Sequence, residues 1–316
     1  MSPPKFSVVI PTCHRNDLLA RCLESLRPGQ ELAESNSYEV IVTDDARELT
    51  AEAMIRVQFP WARWVQGPSR GPAANRNNGV RHATGEWICF IDDDCIASKE
   101  WIAAFHNASI DESIDLMEGQ TRIPDKTDNP FEHAVFNRKG GTYWSCNLAI
   151  RRERFLALGG FDEDFLEAAS EDMEFAHRFH AHHFQSKFYP EALVYHPVRP
   201  IGWRGIWKRL FQVRWTALYH YKVDDSLHLS DSSMRNILYA FKDMILDQLR
   251  LTWRDIQRWN SSYWKSRLFW FLLRWVSFPI ILPYYLYWVY RYHGQLNAKR
   301  RGEETKAPAA PHAPSF

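Results

Sequence analysis

Short apolar runs alternate with helix-like stretches over the first 110 residues of the chain. The apolar runs predict four strands, at residues 6–11, 38–43, 61–66 and 86–91. Between them the pattern predicts helices at residues 17–26, 49–59 and 73–83, and the helical period is clearest in the first of these. Strands that alternate with helices are typical of a parallel sheet covered by helices. The pattern therefore predicts an α/β fold and argues against an all-α or all-β protein.

A polar segment at residues 124–141 follows this region and ends in the pair Gly140 and Gly141. A connection of that length in a compact domain is often a binding loop or a lid. Beyond it the sequence predicts a strand at residues 143–150, a helix from Ser170 to about His183, and a short strand at residues 192–195.

The C-terminal part of the chain has a different pattern. Residues 197–223 contain six cations and no acid, and Trp203, Ile206 and Leu210 recur at helical spacing. This combination predicts a basic amphipathic helix that lies in a membrane interface. A second amphipathic helix is predicted at residues 232–252, which begin with a serine suited to capping.

Residues 268–290 form a 23-residue apolar run with a single charge, Arg274, which is long enough to cross a bilayer as a helix. Pro279 and Pro283 lie at its centre, and both flanks are basic, so a span would place one basic flank on the wrong side of the membrane. We therefore expect a re-entrant or interfacial hairpin bent at the prolines, with a single span as the alternative. The residues after Gly294 are rich in Lys, Arg, Ala and Pro and are expected to be disordered.

The pattern thus predicts an α/β domain at residues 1–200, a helical membrane-association module at 201–293 and a tail at 294–316. The chain has 316 residues, which allows two domains, and its 45% hydrophobic and 24% charged content is that of an ordinary globular protein. This composition argues against a disordered, collagen-like or disulfide-scaffold protein.

The net charge of +1 hides a division between the two parts of the chain. Residues 1–196 carry 20 basic and 30 acidic side chains, whereas residues 197–316 carry 19 basic and eight acidic ones. The C-terminal part also holds nine of the 14 Trp residues. Cations mixed with aromatic residues suit lipid headgroups or a nucleic acid. The long apolar run favours lipid, so we predict an anionic membrane surface as a partner and no nucleic acid.

The five cysteines are odd in number and lack the paired spacing of a zinc site. Reduced thiols in a reducing compartment are the simplest interpretation. The N-terminus enters an apolar run within five residues and shows no secretory signal, so we expect the protein at the cytoplasmic face of a membrane.

Three successive carboxylates, Asp92, Asp93 and Asp94, follow the fourth predicted strand. They would lie at the carboxyl edge of a parallel sheet, where open α/β folds bind ligands. Their charges repel one another, and Mg²⁺ or Mn²⁺ takes hard oxygen ligands from one or two carboxylates and from phosphates. A divalent cation, Mn²⁺ or Mg²⁺, that bridges to a diphosphate is one interpretation, and a solvated acidic turn is the other.

Polar residues also follow the first two predicted strands, so three strand ends present polar groups at one rim. The candidate substrate-binding residues there are Pro11, Thr12, Arg15, Asp44 and Asp45. Asp45 has the chemistry to accept hydrogen bonds from a nucleobase or a ribose, and Arg76 offers a guanidinium fork for a base edge or a phosphate.

Six motifs follow one another between residue 5 and about residue 200: SVVIPTCHR, VIVTDDA, GPAANRNNG, FIDDDC, GGFDEDF, and SEDMEFAHR followed by YHP. In order and spacing they resemble glycosyltransferase family 2 enzymes with the GT-A fold. Each motif alone is a weak signal, whereas six in this order are specific. The resemblance implies a Rossmann-like sheet, transfer of a sugar from a nucleotide-diphosphate donor with inversion, and a divalent metal at the DxD-type motif. VTDDARE stands where the family more commonly has a DDGS-type turn, so the identity of the nucleobase in the donor stays open.

The resemblance also implies roles for individual residues. Thr12 and Asp45 match nucleoside-binding positions, Arg76 an arginine near the base, and Asp93 a ribose contact. For the metal it implies Asp94 as the direct ligand, Asp92 as the residue that completes the motif, and His196 as an added metal or diphosphate contact. Asp172 resembles the catalytic base, and Glu171 beside it is a candidate substrate-binding residue.

General chemistry supports a base at this position, because an acceptor hydroxyl needs a carboxylate within hydrogen-bond reach. Ser170, Glu171 and Asp172 also form an ordinary helix start, with a cap and acids near the positive end of the dipole. The upstream motifs favour a catalytic role for Asp172 over helix capping.

His196 beside a proline is either structural or a neutral imidazole ligand. Trp144 and Asn147 are candidates for an acceptor platform, with a core tryptophan as the alternative.

These observations together predict a metal-dependent inverting glycosyltransferase at the cytosolic membrane face. It would move a sugar from a nucleotide-diphosphate donor to a hydroxyl of a glycan or lipid-linked acceptor. Two alternatives are a non-catalytic nucleotide-sugar-binding membrane scaffold and an Asp-based phosphotransferase. The phosphotransferase is disfavoured because its motif generally continues with Thr or Val where this chain has Ile96.

Overall fold

The structure is a computed structural model that describes residues 3–29, 38–124, 129–223, 241–242, 244–246, 248–253 and 264–300, with side chains described up to residue 292. The predicted disordered tail began at residue 294, but residues 294–300 are helical, and the rest of that tail and most of the predicted helix at 232–252 lie outside the described residues. The chain divides into two compact units: residues 1–125 with 134–198, and residues 126–133 with 199–316.

The first unit is built on an eight-stranded sheet. Its strands are β1 (Phe6–Thr12), β2 (Tyr38–Asp44), β3 (Ala62–Gln66), β4 (Trp87–Ile91), β5 (Ile96–Ala97), β6 (Leu116–Arg122), β8 (Asn147–Arg151) and β9 (Ser186–Tyr195). The order across the sheet is β3-β2-β1-β4-β8-β6-β9-β5. The pairs β1–β2, β1–β4, β2–β3 and β6–β9 are parallel, and β8 runs antiparallel to both of its neighbours. The predicted mostly parallel α/β sheet is confirmed.

Helices cover the sheet and connect its parallel strands. They are α1 (Asn16–Ser25), α2 (Glu52–Gln58), α3 (Pro72–Arg81), α4 (Trp101–Ala108), α5 (Arg152–Ala157) and α6 (Glu171–Ala181). The predicted strands and helices of the first 90 residues agree with these bounds to within a few residues. The pattern missed α4, α5 and β6, and it predicted β9 much too short. In β6, buried Glu118 and Gln120 interrupt the apolar run that normally marks a buried strand.

Two hydrophobic clusters fill the two faces of the sheet, because successive strand residues point to opposite sides. Val8, Ile10 and Val42 belong to one cluster, beneath α1, α2 and α4, and Val9 and Ile41 belong to the other. The second cluster contains four buried phenylalanines from α5, α6 and the turn between them, namely Phe155, Phe161, Phe175 and Phe179. This aromatic packing fixes the start of α6 against the sheet.

The second unit is mainly helical. A small antiparallel pair joins β7 (Glu132–His133) to β10 (Arg199–Pro200), so part of the predicted loop at 124–141 belongs to this unit. Its helices are α7 (Gly202–Phe211), α8 (Val213–Val223) and α9 (Trp264–Arg300). The predicted basic amphipathic helix is therefore two consecutive helices, α7 and α8.

The apolar run forms one continuous helix, and the expected hairpin at the prolines is wrong. Pro279 and Pro283 both lie inside the 37-residue α9. Proline removes a backbone donor but is tolerated in apolar helices where neighbouring groups compensate. Within the described residues, the 29-residue segment Trp264–Tyr292 is long and apolar enough to cross a membrane by length and composition, and an 18-residue stretch of it has a mean hydropathy of 1.3.

Candidate active site

The carboxyl ends of β1, β2 and β3 form one polar row. Thr12 pairs with Asp44 across β1 and β2, and Asp44 pairs with Gln66 across β2 and β3. Asp92 follows β4 directly, on the other side of β1. The buried Thr12 hydroxyl donates to Asp93 Oδ2 at 2.7 Å, which ties the end of β1 to the aspartate triplet. The predicted meeting of three strand ends at one rim is therefore present in the fold, and Pro11 is buried within β1 beside it.

Asp44 and Asp45 have different roles despite being adjacent. Asp44 is buried, and its carboxylate accepts from Ala46 N at 3.0 Å, Ala51 N at 2.7 Å and Trp64 Nε1 at 3.3 Å. These bonds hold the turn after β2. Asp45 is only half-buried and accepts from the backbone of Ser69 at 2.9 Å and Gly71 at 3.1 Å, at the mouth of the rim. Burial, with the nearby Asp44 charge, raises the pKa of Asp45.

Asn75 on α3 joins the ends of β1 and β2, a role that the sequence analysis did not assign. Its Nδ2 donates to the carbonyls of Thr12 at 3.3 Å and Thr43 at 2.9 Å, and its Oδ1 accepts from the Thr43 hydroxyl at 2.6 Å. A Cβ on Gly67 would lie 2.5 Å from Asn75 Oδ1, so this turn requires glycine. The dense run of asparagines in GPAANRNNG was the available signal, because buried amides in a helix need partners.

Arg76, also on α3, connects the aspartate triplet to the start of α6. Its guanidinium is 2.9 Å from Asp92 Oδ1 and 3.4 Å from Glu171 Oε1, and only 5% of its side chain is exposed. Burial raises the pKa of Asp92, but the opposing effects of Arg76, His196 and Arg15 together outweigh burial and keep that pKa below its usual value. Arg76 thus lies inside the site as a charge bridge, and Asp92, predicted as a metal ligand, contacts it directly.

Glu171, which is buried, and Asp172, which is half-buried, begin α6 as an acidic pair. Burial and the neighbouring Asp172 charge raise the pKa of Glu171 to about 8, against the attraction of Arg76. Burial likewise raises the pKa of Asp172, while Arg76 and both the side chain and the N–H of Ser145 oppose the rise. Ser145 N donates to Asp172 Oδ2 at 3.2 Å. Asp172 Oδ1 is buried and has no hydrogen-bond partner among the described residues.

Ser170 does not cap α6 with its side chain. It adopts a left-handed backbone conformation with φ of 69° and makes no capping hydrogen bond. Three other non-glycine residues with positive φ, His14, Ser69 and Tyr143, lie in the loops that carry candidate residues. Such conformations cost about 1–3 kcal/mol each and persist where the surroundings enforce them, commonly at functional sites. The alternative interpretation, a helix start capped by the Ser170 side chain, is therefore not what the structure shows.

Asp94 and His196 face each other in the interior. His196 Nε2 lies 3.7 Å from Asp94 Oδ1, and the Cys95 thiol completes a buried trio whose ligand atoms lie within 4.8 Å of one another. His196 Nδ1 lies 2.9 Å from the carbonyl of Pro197. A carbonyl only accepts, so Nδ1 carries a proton, and Nε2 is the ring nitrogen that faces the carboxylate. An imidazole nitrogen, a carboxylate oxygen and a thiol this close together are groups that can hold a divalent cation.

Arg15 covers the triplet from the loop after β1. Its guanidinium lies 2.7 Å from Asp93 Oδ1 and 3.7 Å from Asp94 Oδ2, and 38% of its side chain is exposed. Arg15 thus offers a cation, partly open to solvent, beside the predicted diphosphate position.

The predicted acceptor platform has one residue that faces the interior. Asn147 is buried, accepts from Trp101 Nε1 at 2.8 Å and donates to the carbonyls of Gln120 and Ala192 at 2.8 and 2.9 Å. It therefore joins β8 to α4, β6 and β9. Trp144 is half-buried and packs against the sheet core from the loop that precedes Ser145.

The sequence of this unit matches a known family. A profile of glycosyl transferase family 2 matches residues 7–158, which contain the rim, Arg76 and the aspartate triplet. This part of the chain belongs to glycosyl transferase family 2. A second profile, described as the N-terminal domain of galactosyltransferase, matches residues 127–198, which contain Glu171, Asp172 and His196.

Relatives in the family share moderate identity with this chain. A validoxylamine A glucosyltransferase of Streptomyces hygroscopicus subsp. limoneus is 26% identical over 221 residues, which are 57% of this chain and 48% of that protein. A GalNAc(5)-diNAcBac-PP-undecaprenol beta-1,3-glucosyltransferase of Campylobacter jejuni is 34% identical over 96 residues, 29% of this chain and 30% of that protein. The chain spans about half the length of the first of these relatives.

Solved structures confirm the GT-A fold. A mannosyltransferase of Pyrobaculum calidifontis in complex with GDP-Man and Mn²⁺ superposes with a TM-score of 0.54 at 16% identity. The match covers 95% of this chain and 88% of that one. At this identity the likeness shows the fold.

Proposed function

We propose that this protein is a metal-dependent inverting glycosyltransferase that moves a sugar from a nucleotide-diphosphate donor to a hydroxyl of a glycan or lipid-linked acceptor. The observation that carries the proposal is the buried, unpartnered Oδ1 of Asp172, one residue from a glutamate that Arg76 links to the aspartate triplet. A buried acceptor atom without a partner is costly unless a ligand supplies one. This favours catalysis over a non-catalytic binding scaffold.

The donor would occupy the rim at the carboxyl ends of β1, β2 and β4. Asp45 at the mouth accepts hydrogen bonds from the nucleoside, and Asp93, held by Thr12, contacts the ribose. Arg15 lies beside the diphosphate, where its partly exposed guanidinium neutralises leaving-group charge. Asp44 and Asn75 support these residues by holding the two strand ends.

Asp94 and His196 are the residues that would hold Mn²⁺ or Mg²⁺, and Cys95 lies beside them. When bound, the cation supplies charge neutralisation for the departing diphosphate as a Lewis acid. The related mannosyltransferase structure contains Mn²⁺. Asp92 stabilises the site differently, because its carboxylate fixes Arg76.

In the transfer step, Asp172 Oδ1 takes the proton of the acceptor hydroxyl while the hydroxyl oxygen attacks the anomeric carbon. The bond from that carbon to the diphosphate oxygen breaks, and its electrons leave with the nucleoside diphosphate. Attack from the side opposite the leaving group inverts the anomeric centre. Ser145 N–H holds the other carboxylate oxygen, so the reacting oxygen keeps one orientation.

The second unit would hold the enzyme against an anionic membrane, where lipid-linked acceptors are found. Its exposed large apolar side chains include Trp203 and Trp207 on α7 and Trp275, Val276 and Ile280 on α9. All charged side chains described on α7, α8 and α9 are basic. This combination suits an interface with anionic headgroups. The related Campylobacter protein is named for an undecaprenol-linked substrate. Free cysteines agree with the cytosolic face.

The packing of α9 favours an orientation along the membrane. One face, with Ile281, Tyr285 and Tyr292, is buried, and Tyr285 OH lies 2.9 Å from His220 Nδ1 of α8. If α9 crossed the bilayer, α8 would enter the hydrocarbon with Arg214 and Lys222, which is costly. The exposed face of α9 would instead lie in the lipid interface.

The orientation is tested by labelling single cysteines in sealed vesicles, on a Cys13→Ser background. Ser266→Cys and Gln295→Cys lie near the two ends of α9. Labelling of both from the same side supports the interfacial orientation, whereas labelling from opposite sides shows a span and overturns it.

The glycosyltransferase proposal is tested with purified protein and a panel of UDP-, GDP- and dTDP-sugars in the presence of Mn²⁺. Slow hydrolysis of one donor to free sugar and nucleoside diphosphate is expected and requires no knowledge of the acceptor. Absence of both binding and hydrolysis across the panel would refute the proposal. The Asp172→Asn variant serves as the control for contaminating activity.

A further inference from the structure

Glu118 of β6 is a buried carboxylate that gathers three successive backbone donors. Its oxygens accept from Gly141 N at 2.7 Å, Thr142 N at 3.0 Å and Tyr143 N at 2.8 Å. Only 3% of Glu118 is exposed. A buried carboxylate needs compensation for its lost hydration, and hydrogen bonds to a charged acceptor are roughly twice as strong as neutral ones.

The three N–H groups converge because the loop takes an unusual path. Gly140, Gly141 and Tyr143 have φ of 77°, 78° and 54°, all left-handed. A side chain is disfavoured in this conformation, so Tyr143 needs an external interaction to keep it. Glu118 provides that interaction. A Cβ on Gly140 would also lie 2.8 Å from the Phe188 side chain, which leaves room only for glycine there.

Asn137 fastens the other end of the same loop. Its Nδ2 donates to Glu118 Oε2 at 3.2 Å, and its Oδ1 accepts from Gly140 N at 2.9 Å. Its backbone pairs with Thr121 of β6 in both directions at 2.9 Å. Residues 137–143 are therefore attached to β6 along their length.

The loop then continues directly to the proposed base. Two residues after Tyr143, Ser145 N donates to Asp172 Oδ2 at 3.2 Å, and Trp144 lies between them. The backbone from 141 to 145 thus directs its N–H groups first to Glu118 and then to Asp172. A change in the first set of bonds alters the direction of the second, because the two sets are separated by a single residue.

We propose that Glu118 is a positioning residue for acceptor use: it sets the path of residues 141–145 so that Ser145 N–H holds Asp172 and Trp144 borders the acceptor. This inference rests on the proposed function. Glu118 does not touch the donor residues described above, so its effect falls on transfer and acceptor binding and spares the donor.

The test compares Glu118→Gln in the full chain with wild type and with Glu153→Gln, an exposed glutamate on α5 that serves as the matched control. Glutamine keeps the shape but turns an amide NH₂ towards backbone N–H groups. We expect amide hydrogen exchange at residues 140–145 to accelerate on the order of tenfold or more. We also expect kcat for transfer to fall and KM for the acceptor to rise, on the order of tenfold in combination, with Kd for the donor within about twofold of wild type.

Glu118→Asp restores the charge at a shorter reach and should recover part of the transfer activity. Gly141→Ala disturbs the same loop from its own backbone, since its φ of 78° disfavours a side chain while no neighbour lies within 4 Å of the added Cβ. Gly141→Ala should also lower kcat for transfer and raise KM for the acceptor while Kd for the donor stays near that of wild type. The inference therefore stays testable if Glu118→Gln fails to fold.

Unchanged exchange at residues 140–145, or a loss of donor affinity equal to the loss of transfer, would overturn the inference. If wild type itself transfers no sugar to any acceptor, the proposed function fails and the exchange measurement alone decides whether Glu118 sets the loop. The two failures are therefore distinguishable.

Discussion

Ser145 donates its backbone N–H to Oδ2 of Asp172 at 3.2 Å, while Oδ1 of the same carboxylate is buried without a partner among the described residues. One oxygen is thus held and the other is left for a ligand. This division is what a general base requires, because orientation and a free lone pair must be present together.

Asp172→Asn should retain donor binding and lose transfer. The amide keeps the size of the side chain and an oxygen for Ser145 but cannot take a proton. General-base catalysis contributes about a hundredfold or more, so kcat should fall by at least that factor while Kd for the donor stays within about threefold. Steady-state kinetics and calorimetry measure the two quantities. Unimpaired turnover would remove Asp172 from the mechanism.

Asp94→Ala should weaken metal-dependent donor binding. Asp94 faces His196 Nε2 at 3.7 Å, and removal of the carboxylate leaves one fewer hard ligand for the cation. Calorimetric titration of the donor with and without Mn²⁺ should show that the enhancement by Mn²⁺ falls on the order of tenfold or more. Asp111→Ala, at an exposed loop position, should leave the enhancement intact. Equal enhancement in Asp94→Ala and wild type would argue against the metal site.

The stability of the metal-free protein should fall with rising pH because of Glu171. Burial and Asp172 raise the pKa of Glu171 to about 8, from an ordinary value of 4.5. Between these two values the folded state holds a proton that the unfolded state releases, so unfolding becomes easier as pH rises. The stabilisation is present in full below about pH 4.5 and is lost as pH passes through 8.

Glu171→Gln removes this titration, so its melting temperature relative to wild type should increase from pH 5 to pH 8. Thermal denaturation in the presence of a chelator measures the difference at several pH values. Glu153→Gln should stay parallel to wild type, because that side chain is 71% exposed. Parallel curves for Glu171→Gln and wild type would show that Glu171 titrates normally.

The exposed face of α9 should contribute to membrane binding. Val276 and Ile280 are 76% and 55% exposed and one helical turn apart. Burial of such side chains is worth about 1.5–3 kcal/mol each when complete, so Val276→Ser with Ile280→Ser should weaken binding to anionic vesicles on the order of tenfold or more. Sedimentation with vesicles of mixed anionic and neutral lipid measures this. Val57→Ser, at a 79% exposed position on α2, is the control and should bind as wild type does. Equal binding of the double variant would assign attachment to another surface.

The sequence predicted the elements whose physics is local. Buried parallel strands such as β1 and β4 are continuous apolar runs, and α1 has a clear helical period, so hydrophobicity alone located them. The motifs predicted the family, because short segments with fixed polar residues keep their order along the chain. Among the candidate residues, Thr12 proved to contact Asp93, and Arg76 proved to contact both Asp92 and Glu171.

The sequence pattern did not predict contacts between residues that are far apart in the chain. β6 was missed because Glu118 and Gln120 break its apolar run, and the hydrogen-bond partners of Glu118 come from a loop 19–25 residues further along the chain. Asn147 looked available for a ligand, but its side chain joins β8 to three other elements. The hairpin was expected from two prolines, whereas packing against α8 supports one continuous α9.

The sequence by itself determined the fold class, the family and the residue types at the rim, since these follow from hydrophobic periodicity and from the spacing of polar residues next to strand ends. Only the tertiary structure decided which carboxylates are used in internal hydrogen bonds or ion pairs and which keep an oxygen available for a ligand. Asp44 holds a turn, Asp92 holds Arg76, and Asp172 keeps one oxygen free. The physical reason is that the role of a buried charge depends on the donors around it, and most of those donors come from distant parts of the chain.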